Sequence, residues 1–262
     1  MRLIVLGCSG SGPGPGSPGS GYLVEAGDTR LVLDLGNGAF GALQRHLDPF
    51  DLDAVVLSHL HPDHCADVSS LVVHRRYHPR PPFDVSGRPL ALHAPSEAMD
   101  RLAAAYAPSR AERAGTDLSD VFDHHPLADG GSEALGEGAL LRVAEVDHLC
   151  EAYALRVEHG GRSLVYSGDT GPCAGLVELA RGADVLLCEA TWPHVLDEWD
   201  EPPTGVHLSG RQAGEHAAEA GVGRLLLTHV ASWFDAAQIL AEAKEAFAGP
   251  VELVAPGAVY EV

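Results

Sequence analysis

Six consecutive positions, His59-Leu60-His61-Pro62-Asp63-His64, concentrate the residue types that bind metal. Two imidazoles spaced two apart on extended backbone project to one side, and the residues just beyond bring a carboxylate and a third imidazole around a turn. Pro62 removes a backbone donor, so the expectation is a fixed turn through which no helix runs. A lone histidine is usually packed or solvated, whereas three histidines and an aspartate this close read as a metal site. Two divalent cations about 3.5 to 4 Å apart there would depress the pKa of a water between them and neutralise charge building on a phosphoryl group. Mixed nitrogen and oxygen ligands without thiolate suit zinc, with manganese or iron as the alternatives.

The elements that must position this cluster are legible around it. Residues 54–57 form a short apolar strand ending directly at the cluster, and a helical pattern follows to about Tyr77. Carboxyl ends of strands are where sites form in open α/β sheets. Strands are also expected at 3–6, 22–25, 31–35, 90–93, 140–146, 153–157, 164–167, 185–189, 251–254 and 259–262. Helical patterns fall at 96–106 and 176–180. Ser209 with Gln212 is a capping box opening a helix to Ala220, and Asp235 with Gln238 repeats that signature before a last helix. Residues 7–21 are a Gly/Pro/Ser loop without the Lys-Ser/Thr ending of a nucleotide-cradling P-loop, and 107–138 shows no readable period. No Pro/Ser linker divides the chain, so residues 1–262 are expected to form a single domain, an α/β sandwich with helices outside.

Composition narrows the function. Seventeen Lys and Arg against 37 Asp and Glu give a net charge of −20, a field that repels polyanions and anionic membranes, so neither a long nucleic acid nor a membrane is an expected partner. The five scattered cysteines, without a CxxC spacing, do not form a disulfide framework, and no run of about 18 apolar residues exists to span a bilayer, so a cytoplasmic protein is expected. Arg75-Arg76-Tyr77-His78-Pro79-Arg80 is a basic cluster that either meets a substrate phosphate or is a solvated helix end complementing the helix dipole.

Five ordered pieces, Asp34-Leu35-Gly36-Asn37-Gly38, the His59 cluster, His148, Gly168-Asp169-Thr170 and Thr228-His229, resemble the motifs of the metallo-β-lactamase superfamily along essentially the whole chain. The resemblance implies the αββα sandwich of that family, with two facing mixed sheets and outer helices. It also implies that His59, His61 and His148 hold one metal, that Asp63, His64 and His229 hold a second, and that Asp169 bridges them. Asp34 then reads as a carboxylate orienting a ligand histidine. With that set full, Cys65 and Cys150 read as packing residues.

Two further segments, Cys188-Glu189-Ala190-Thr191 and His207-Leu208-Ser209, resemble boxes of the ribonuclease Z-type phosphodiesterases, although Cys188 stands where that family has histidine. The likeness implies that His207 contacts the scissile phosphate and protonates the leaving oxygen, that Glu189 supports it, and that Asp63 partners the attacking water. The long tRNA-binding arm of ribonuclease Z lies between the third and fourth motifs, where this chain has only positions 149 to 168. Leu6-Gly7-Cys8-Ser9-Gly10-Ser11, Gly41-Ala42-Leu43-Gln44-Arg45-His46 and Tyr166-Ser167-Gly168-Asp169 are similar to segments of atypical actinobacterial cyclic-nucleotide phosphodiesterases. That resemblance implies a homodimer hydrolysing 3′,5′-cyclic AMP or a related cyclic nucleotide to the 5′-monophosphate. Ribonuclease Z-like tRNA processing, a β-lactamase or thioester hydrolase, and a non-catalytic metal-stabilised nucleotide sensor stay open at this point.

Overall fold

The computed structural model describes residues 1–136, 138–196 and 204–262. Two seven-stranded sheets face each other. The first runs in space Val259–Glu261, Arg2–Gly7, Gly21–Ala26, Thr29–Leu35, Ala54–Val56, Leu90–Ala94 and Phe122–Pro126. The second runs Val251–Leu253, Arg224–Thr228, Val185–Glu189, Arg162–Tyr166, Tyr153–His159, Ala139–Glu145 and Ser132–Leu135. Each sheet is part parallel and part antiparallel. The parallel strands Ala54–Val56 and Val185–Glu189 are buried at every position, as expected of apolar runs covered on both faces.

Three apolar layers hold the sandwich together. Leu33, Val56, Leu155 and Leu187 pack between the sheets. Val55 and Leu57 meet Leu71 of helix Val68–Tyr77 and Leu102 of helix Ala98–Tyr106 outside the first sheet. Leu186 and Leu227 meet Leu176, Ala217 and Ile239 of helices Ala174–Ala180, Gly210–Ala220 and Ala236–Ala246 outside the second. Burying one such leucine fully contributes roughly 1.5–3 kcal/mol. The αββα order of layers is the one the sequence motifs imply.

Several expectations change. Residues 107–138 contain the helix Arg110–Arg113 and two strands, Phe122–Pro126 and Ser132–Leu135, each the last of its sheet; Glu137 lies outside the described residues. Only Phe122 and Leu135 of those strands are buried, so neither carries a readable alternation. The loop 7–21 contributes a short strand, Ser9–Gly10, paired in parallel with Val230–Ala231. Pro62 does not block a helix but begins one, Pro62–Cys65, because a first-turn position needs no N–H. The Ser209–Gln212 capping box is present. Asp235 also caps its helix, by accepting from Ala237 N at 2.9 Å, but Gln238 turns away to donate to the Val195 carbonyl. Cys65 is buried as a packing residue, whereas Cys150 is exposed. In the basic cluster Arg75 is buried, donating to the Arg88 carbonyl at 2.9 Å, Arg76 is paired with Asp120, and Arg80 is exposed.

Candidate metal centre

The seven candidate ligands lie beyond the carboxyl ends of strands in both sheets. His59 follows Ala54–Val56, His148 follows Ala139–Glu145, Asp169 follows Arg162–Tyr166 and His229 follows Arg224–Thr228. His61 sits on extended backbone, and Asp63 and His64 on the first turn of Pro62–Cys65. Gly36 makes room for that turn, since a Cβ there would lie 1.8 Å from the Asp63 carbonyl oxygen.

Geometry divides the residues into two groups. His59, His61, His148 and Asp169 each offer a donor atom within 4.8 Å of the others, and so do Asp63, His64, Asp169 and His229. Asp169 is common to both: its Oδ2 lies 3.6 Å from His59 Nε2, while Oδ1 lies 3.2 Å from His64 Nε2 and 3.4 Å from His229 Nε2. It is buried, and Oδ1 has no hydrogen-bond partner among the described residues.

Outer contacts fix which nitrogen faces the cluster. Ser58 Oγ donates to Asp34 Oδ2 at 2.8 Å, so toward His59 Nδ1 at 3.0 Å it is an acceptor. His64 Nδ1 donates to Asp34 Oδ2 at 2.7 Å, and His148 Nδ1 to the Val206 carbonyl at 2.8 Å. Thr191 Oγ1 donates to Glu189 Oε2 at 2.7 Å and therefore accepts from His229 Nδ1 at 2.8 Å. In all four the proton is held on Nδ1 and the Nε2 lone pair is turned inward. Those lone pairs meet one another: His64 and His229 Nε2 stand 3.1 Å apart, and His61 Nδ1 stands 3.1 Å from His59 Nε2 and 3.2 Å from His148 Nε2. Facing acceptors with a buried carboxylate oxygen between them fit a divalent metal. Burial opposes charge on His64, yet the Asp169 and Asp34 carboxylates outweigh it and raise its pKa well above the usual value. The field there calls for positive charge.

Asp34 is not itself a ligand candidate, because its oxygens already accept from Ser58 N, Ser58 Oγ, His64 Nδ1 and Tyr166 Oη. It orients His64, as expected. Glu189 and His207 form a second layer beside the cluster. Glu189 is fully buried, its Oε1 accepting from Thr170 N at 2.7 Å and His207 Nδ1 at 3.0 Å, its Oε2 from Thr191 Oγ1 and Leu208 N. His207 is left with Nε2 as its outward donor, its ring 5.5 Å from that of His148 and 5.4 Å from that of His229. Burial lowers the His207 pKa, but the Glu189 carboxylate prevails and pushes it up to about 9. Burial resists ionisation of Asp63 too, but hydrogen bonding to His229 and the charge of His64 hold it well below the usual carboxylate range.

Sequence reasoning missed the supports Ser58, Thr191, Tyr166 and the Val206 carbonyl. Ser58 adjoins the His59 cluster, Thr191 and Tyr166 stand inside quoted segments without a role of their own, and no local signal distinguishes Val206. It also missed Trp192, whose ring meets His207 edge-on at 5.0 Å and 86°.

Comparison with known proteins identifies the family. Residues 29–230 match the beta-lactamase superfamily domain. An uncharacterized protein of Mycobacterium leprae is 50% identical over 265 residues, covering 100% of this chain and 89% of its own. A ribonuclease Z of Mycolicibacterium paratuberculosis is 31% identical over 267 residues, covering 97% of this chain and 95% of its own. Among solved structures, the metallo-beta-lactamase fold protein YhfI of Bacillus subtilis superposes with a TM-score of 0.82 at 25% identity, covering 99% of each chain.

Proposed function

The chain belongs to the beta-lactamase superfamily, in its ribonuclease Z-like metallo-hydrolase branch, and on that premise we propose that it hydrolyses 3′,5′-cyclic nucleotides, cyclic AMP first, to 5′-monophosphates. His59, His61 and His148 would hold one divalent cation and Asp63, His64 and His229 a second, with Asp169 between them. Zinc suits the donors best, and manganese next. When bound, such cations lower the pKa of water and draw charge from phosphoryl oxygens.

The single observation that carries the reading is the Glu189–His207 pair beside the ligand groups, 3.0 Å apart. Glu189 keeps His207 protonated and its Nδ1 occupied, so Nε2 is poised to give a proton to the departing 3′ oxygen. Asp63 stays a carboxylate and can accept from the attacking water. A 3′ alkoxide leaves poorly at ordinary pH, and such a donor lets it depart as the neutral alcohol.

Trimming of a tRNA precursor is the competing reading, favoured by the ribonuclease Z relative. Two observations weigh against it. The stretch after His148 is spent on the hairpin Tyr153–His159 and Arg162–Tyr166, closed at Gly160-Gly161 with positive φ at both, which leaves no chain for an arm. The net charge of −20 opposes a polyanion. The same reading makes the enzyme a cytoplasmic homodimer; no helix among the described residues is long and apolar enough to cross a membrane.

The test presents 3′,5′-cyclic AMP and a tRNA precursor in parallel to purified protein, with chelator or with added zinc or manganese. Chelator-sensitive 5′-AMP with an untouched precursor is expected. A trimmed precursor with intact cyclic AMP would move the assignment to RNA processing.

A further inference from the structure

A second group of metal-type side chains lies where the two sheets end. Phe122–Pro126 closes the first sheet and Ser132–Leu135 the second. His93 and His125 are register partners on adjacent parallel strands and so share a face. That face is the interior one, because Ala91, two positions before His93, packs against the core between the sheets. Across the gap stands Glu133, two positions before Leu135 of the same core.

His93 is only 3% exposed, and its Nδ1 lies 2.8 Å from Glu133 Oε2. That nitrogen nonetheless has no hydrogen-bond partner among the described residues, so the carboxylate stands off the axis along which an N–H would donate. The His125 ring stacks on His93 at 4.8 Å and 24°, and Asp123 Oδ2 lies 3.3 Å from His125 Nε2. One donor atom from each of His93, His125 and Glu133 falls within 4.8 Å of the others. Burial outweighs Glu133 and lowers the His93 pKa, which favours the neutral imidazole that ligates.

We propose that His93, His125 and Glu133 form a divalent-cation site of zinc type, separate from the seven-residue centre, that clasps the closing strands of the two sheets. Two imidazoles and a carboxylate supply three of the four positions zinc prefers, and water supplies the last. A buried nitrogen that meets a carboxylate oxygen without sharing a proton is satisfied by a cation common to both. Asp123 holds the second ligand ring in the way outer carboxylates orient ligating histidines. Because His125 and Glu133 are 40% and 42% exposed at the side chain, an ion can enter and leave without opening the fold. A bound ion would stabilise the folded chain by mass action.

The test strips the full chain with chelator, reloads it with Zn²⁺, desalts it and counts metal per chain. The H125A/E133Q variant should retain one ion fewer than wild type, and its Tm should rise less on adding zinc. Its hydrolytic turnover should stay within about twofold, since it leaves the other centre untouched. In an H59A/D169A background one ion should remain, and adding H125A/E133Q should remove it. Equal metal with and without H125A/E133Q, in either background, overturns the proposal. Both substituted side chains are partly exposed, so loss of folding does not mask the count.

Discussion

The two halves of the proposed metal centre hold their imidazoles by different means. In the first half His59 rests on Asp34 through the Ser58 hydroxyl, His148 gives its outer proton to a neutral acceptor, the Val206 carbonyl, and His61 and His148 are only partly buried. His64 and His229 are buried and rest on carboxylates, His64 directly on Asp34 and His229 through Thr191 on Glu189. An acceptor with negative charge makes the imidazole a stronger base and fixes its direction. The lesson is that ligands of one residue type form a tight half and a looser half. The tight half is where the low dielectric makes electrostatic errors expensive.

The largest effect should come from the one residue common to both halves. Asp169→Ala should empty both and cost several orders of magnitude in turnover, read by metal analysis and rate; a variant that kept either half loaded would show that the halves do not depend on Asp169. Next comes the layer beside them. His207→Ala should lower kcat by about 10²–10⁴-fold with metal content unchanged. Lost metal would instead make His207 a ligand, which is a real alternative because Glu189, His207 and His229 also lie within 4.8 Å of one another. Asp63→Ala should lower turnover comparably but also weaken the tight half.

A smaller effect sharpens the comparison itself. Asp34→Asn should weaken metal binding by about 10–100-fold, most in the tight half where Asp34 accepts directly from His64, and Ser58→Ala, which removes only the relay from Asp34 to His59, by less. Equal losses in a metal titration would erase the distinction. The smallest effect is a shifted pH profile. With His207 pushed up to about 9 by Glu189 against the pull of burial, its donor form is present below that pH and is lost as pH rises through it. The stability tied to this pair has the same sign: it is fully present below the ordinary histidine pKa of 6.5 and fades as pH rises through about 9. Glu189→Gln should therefore move the alkaline limb of the rate to lower pH, and an unmoved limb would assign it to another group.

Legibility followed locality. The His59 cluster was readable because four ligand-type residues follow one strand without interruption. His148, Asp169 and His229 carry no such signal singly and entered through the order of motifs. The last strands of the two sheets escaped because an edge strand buries few side chains and shows no alternation. Pro62 misled because a residue that breaks a helix interior is at home in its first turn. Cys150 misled because neighbouring a ligand in sequence does not bury a side chain.

By itself the sequence determined which strands are buried, since apolar runs such as 185–188 leave no polar face to expose, and which residue types collect at strand ends. Only the tertiary structure decided which nitrogen of each histidine turns inward, because that depends on acceptors as remote in sequence as Asp34 from His64 or Val206 from His148. It alone brought His93 and His125 from one sheet against Glu133 from the other. Hydrogen-bond direction and ligand angle act over a few ångströms, and spacing along the chain does not set those distances until the sheets have packed.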